Sequence, residues 1–66
     1  MKLVIINVFR ECRVVEASTI PAKGAQIDMY YKPNPTVTNV VMWPRDDTLN
    51  SLGIKEANVE AIVFVS

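Results

Sequence analysis

Catalysis and metal binding need groups that hold an ion, move a proton or attack a carbon, and this chain carries few of them. It has no histidine and a single cysteine, Cys12. That excludes a zinc site of the Cys/His type, a Ser-His-Asp triad and a Cys-His pair. The adjacent carboxylates Asp46 and Asp47, with Glu56 and Glu60 further on, come nearest to a hard-metal or acid/base set. Their spacing matches no known ligand loop, and neighbouring carboxylates just ahead of a helical turn serve more simply as its cap, favoured by its dipole. The chain is therefore expected to be non-catalytic, with no cofactor and no metal.

Binding chemistry remains. Tyr30, Tyr31 and Trp43 fall on segments expected to be neighbouring strands, with Lys32 and Arg45 at their ends. Trp, Tyr, Met and Arg are the residues enriched at the centres of protein interfaces. Tyr30, Lys32, Met42, Trp43 and Arg45 accordingly form the candidate binding surface, with another protein as the leading partner. Single-stranded nucleic acid is the alternative, since bases stack on aromatic rings while phosphates meet Lys or Arg. The charge count weighs against it: seven Lys/Arg balance seven Asp/Glu, which leaves no net field to attract a polyanion.

The chain must position these residues with 66 amino acids, half of them apolar and 21% charged. That composition excludes a disordered tail and makes residues 1–66 one small domain. A single cysteine permits no internal disulfide, and domains below about 70 residues often need a staple, a metal or a partner subunit. A homodimer is the expected solution. The lone thiol and the absence of an Asn-X-Ser/Thr sequon with X other than Pro, since Asn34 is followed by Pro35, fit the cytoplasm. The apolar run Leu3 to Phe9 is interrupted by Asn7 and followed by Arg10-Glu11. It is too short to cross a bilayer and lacks a cleavage site, so it reads as a strand and no membrane partner is expected.

Ten Val, six Ile and four Thr against three Leu and five Ala bias the chain toward pleated structure. Lys2 to Phe9 is apolar on both alternating sets, as is Val59 to Val65, so both strands should be covered on two faces. In the latter, Val59, Ala61, Val63 and Val65 form one face, with Ile62 and Phe64 on the other. Arg10 to Ala17 continues in extended form, with Cys12 on an apolar set as a small buried hydrophobe. It is either a bent second strand or a continuation past a bulge. Ile20 to Gly24 is a turn. Gln26 to Tyr31 alternates cleanly, pairing across Pro33-Asn34-Pro35 with Thr36 to Trp43 as a hairpin. Asn7 and Asn39 each interrupt an apolar face. Between Pro44 and Asn58 lies one short helix, with Asp46 or Asp47 as its cap, Leu49 and Leu52 on one side and Gly53 at its end. The result is an all-β, mainly antiparallel fold: a small barrel or strongly bent sheet of four or five strands with one short helical turn.

The turn Ile20-Pro21-Ala22-Lys23-Gly24 and the strand Val37-Thr38-Asn39-Val40-Val41-Met42-Trp43, between a first strand and a Val-rich last one, resemble small orphan proteins with SH3-like barrels. Phage and other mobile elements encode many such proteins. Ala25 departs from that pattern, in which an acidic residue often follows the turn glycine. The resemblance implies a barrel fold and carries no catalytic residue with it.

Overall fold

The structure, a computed structural model, describes residues 1–27 and 34–66. Among the described residues, strands β1 (Lys2–Ile6), β2 (Cys12–Glu16), β3 (Val37–Met42) and β4 (Ala61–Val65) form one mixed sheet in the order β2-β1-β4-β3, with one helix, α1 (Asp46–Ser51), between β3 and β4. β1 and β4 run parallel at the centre, and each pairs antiparallel with an outer strand. The fold is thus all-β with a short helix, as the β-branched composition implies. Among the described residues the sheet is open, with β2 and β3 as its outermost strands, and fits a small bent sheet.

Two-sided covering follows from the alternation in the two central strands. Leu3, Ile5, Ala61, Val63 and Val65 face one way and form a buried cluster with Val37. Segment 17–27 closes over them with Ala17, Ile20, Ala25 and Ile27. Val4, Ile6 and Ile62 face the other way, where Leu49 of α1, Ile54 and Val59 cover them. Val59 therefore lies on the face opposite Ala61, against the assignment from simple alternation. The strand begins only at Ala61, and Asn58, at a φ of 62°, turns the chain just before it.

The first strand stops at Ile6 because Asn7 captures the chain. Its Oδ1 accepts from the backbone N–H of Phe9 (2.9 Å) and of Glu11 (3.0 Å), and its Nδ2 donates to Glu11 Oε1. This Asx-type turn reverses the chain into β2, a second strand in a hairpin, and leaves Val8 and Phe9 outside the strand. Cys12 is likewise exposed and not buried, because β2 is an edge strand and the helix-side layer does not reach it. Asn39 is also exposed, beside the register shift that falls between Val37 and itself in β3.

Of the expected hairpin across the Pro-rich loop, the described residues show an isolated antiparallel bridge, Gln26 with Thr36, beside an Ile27 N–H bond to Pro35 O, while the ladder of β3 is made with β4. The alternation read for Asp28 to Tyr31 lies outside the described residues.

The helix has Arg45, not Asp46 or Asp47, at its N-cap; both aspartates sit in the first turn instead. There they still complement the helix dipole. Its other end is a Schellman motif. Gly53 N–H donates to Asn50 O and Ile54 N–H to Leu49 O, while Ile54 and Leu49 share the buried cluster. Gly53 takes a φ of +74°, and a Cβ there would meet open space, so the backbone angle alone sets the cost of a side chain. Gly53→Ala is expected to lower stability by about 1 kcal/mol in a urea titration.

Candidate functional site

The end of β3 builds the first exposed corner. Met42 pairs with Ala61, and the next N–H, that of Trp43, donates to Glu60 O at 2.8 Å. Two residues later Arg45 caps α1, its carbonyl accepting from Leu49 N–H. Sheet and helix thus fix both sides of a two-residue link, and the link is closed by backbone strain: Trp43 sits at a φ of +51°. A bulky side chain in the left-handed region costs about 1–3 kcal/mol, and the following Pro44 favours extended backbone at this position. The indole is 69% exposed and Met42 52%, with Arg45 also exposed. Among the described residues Trp43 belongs to neither buried cluster.

Of the candidate surface read from the sequence, the structure therefore brings Met42, Trp43 and Arg45 together on one corner. Tyr30 and Lys32 lie outside the described residues. The left-handed turn at Trp43 directs the indole to solvent.

A second corner escaped the sequence reading. Val8 and Phe9, the latter 79% exposed, ride on the turn locked by Asn7, whose carbonyl also accepts from Arg10 N–H. Beside them lies a groove of about 450 Å³ with an apolar floor of Ile5 and Val65 and walls that include Arg13 and Pro35. Asn34 Oδ1 is buried there without a hydrogen-bond partner among the described residues. The usable signal was the asparagine itself. An Asx turn at Asn7 predicts a tight reversal, whereas the apolar periodicity of Val8 and Phe9 argues for continued strand. The parallel pairing of β1 with β4 sends this corner to one end of the sheet, and the antiparallel β3 carries Trp43 to the other.

Among the described residues, no three His, Cys, Asp or Glu side chains are placed to hold a metal ion. Nor is any helix there long and apolar enough to cross a membrane. Comparison with protein-family models, curated proteins and solved structures finds no match for this chain.

Proposed function

We propose that this chain is a non-catalytic interaction module that binds another protein through the Met42–Trp43–Arg45 corner. One observation carries the reading: a tryptophan 69% exposed on a left-handed backbone, at a link fastened on both sides. Strain of this kind persists where surrounding structure over-determines it, and it clusters at binding sites. A rigid indole beside a flexible thioether and a guanidinium has the composition of an interface centre. The lone thiol and the missing sequon support a cytoplasmic setting.

The test is capture of partners from lysate on immobilised wild-type protein and on two variants, Trp43→Ala and Arg45→Glu, each checked for an intact fold by circular dichroism. The expected result is a protein retained by the wild type and lost from both variants. Equal retention on all three would place the binding surface elsewhere. A bare indole next to Arg45 also favours a second reading, single-stranded nucleic acid. In that case mixed oligonucleotides would quench Trp43 emission, and the quenching would fade steeply with salt.

A further inference from the structure

The sheet ends abruptly at β2. Four of its five residues are exposed, and among the described residues nothing pairs with its outer side. The ladder between β1 and β2 fixes which backbone groups of β2 face outward. Ala17 N–H donates to Met1 O and Asn7 N–H to Glu11 O, with Leu3 opposite Val15 and Ile5 opposite Arg13. Antiparallel alternation then points the N–H and C=O of Arg13 and Val15 toward β1, and those of Cys12, Val14 and Glu16 outward. Such an edge is a template for another strand. Devices that usually blunt one are missing from its centre, where Val14 is an apolar residue 42% exposed.

We propose that the outer edge of β2 pairs antiparallel with β2 of a second copy of this chain, about a two-fold axis at Val14, making one continuous eight-stranded sheet across two four-stranded ones. The register selects the occupant. Centred on Val14, all five strand residues overlap: Val14 faces its copy, Cys12 faces Glu16, and Arg13 faces Val15, so no like charges stand opposite each other. Moving the axis to Arg13 stacks two guanidinium groups, and moving it to Val15 leaves only Val14 to Glu16 overlapped. Charge agrees with the central register. The antiparallel copy brings the Arg10 end of one strand alongside the Glu16 end of the other, and Arg10 makes no ion pair among the described residues. A two-fold contact of this type is closed and limits assembly to two chains. The paired strands are short against the roughly 1,200 Å² that stable complexes bury, so the dimer is expected at high micromolar concentration.

Directly opposite residues in a hydrogen-bonded antiparallel pair have Cα atoms about 5.5 Å apart, within disulfide reach. The experiment therefore combines mass by light scattering over a concentration series with mild oxidation of Cys12→Ser/Val14→Cys. The expected results are a mass that doubles with concentration for the wild type, a covalent dimer for that variant, and none for the control Cys12→Ser/Lys55→Cys. Val14→Lys, which sets two like charges face to face on an exposed position, should stay at one-chain mass with an unchanged fold. A wild type of one-chain mass at every concentration overturns the proposal. So does a doubled mass that survives Val14→Lys without cross-linking through position 14, because the contact would then use another surface.

Discussion

Ile62→Ala is expected to lower the free energy of unfolding by about 3–4 kcal/mol, a large fraction of the total stability of a chain this small. Ile62 is fully buried in the central strand β4, opposite Val4 on one side and Val41 on the other. It packs with Leu49, Ile54 and Val59, so it joins the sheet to the entire helix-side layer. Removing its outer carbons gives up their transfer free energy and leaves a cavity that fixed strands on both sides cannot close. A chain of 66 residues has only about 3–10 kcal/mol to lose. Urea unfolding followed by far-ultraviolet circular dichroism measures the effect. Val14→Ala, at the exposed edge, serves as the comparison and should cost less than about 1 kcal/mol.

Trp43→Asn is expected to separate binding from stability. At a partner-facing centre, truncating a tryptophan commonly costs at least about 2 kcal/mol of affinity, a loss of tenfold or more in retention of a captured protein. The fold should lose almost nothing. Asparagine tolerates the left-handed region far better than a bulky aromatic, and the Trp43 N–H bond to Glu60 O belongs to the backbone, which the substitution keeps. The relieved strain offsets the apolar contact that a mostly exposed indole gives up.

How much of this was legible in the sequence depends on whether side chains or backbone made the decision. Covering on both faces followed from β1, after Lys2, and β4 being apolar on both alternating sets, and the structure places segment 17–27 on one side and α1 with Ile54 and Val59 on the other. The short helix and its terminal glycine were legible for the same reason: Leu49, Leu52 and Gly53 carry local signals. Strand ends were not. Periodicity cannot register that the Asn7 side chain takes two backbone N–H groups and ejects Val8 and Phe9, or that Asn58 turns the chain and moves Val59 to the other face. Cys12 shows a third limit. Its place in the alternation was right, opposite Ile6, but burial depends on which strand is outermost. Strand order arises from long-range pairing, and the parallel contact between β1 and β4 leaves no local trace. At the candidate site the residue types Met42, Trp43 and Arg45 were readable, while the left-handed turn that exposes the indole was not.

The most direct test of the idea that this fold bears strain in order to present Trp43 is the unfolding free energy of Trp43→Asn beside that of the wild type, read by circular dichroism in urea at one protein concentration. The expected result is a midpoint equal to the wild type's or higher. A loss of more than about 1 kcal/mol would show that the indole is held for its packing, and would contradict the assignment of this corner to a partner.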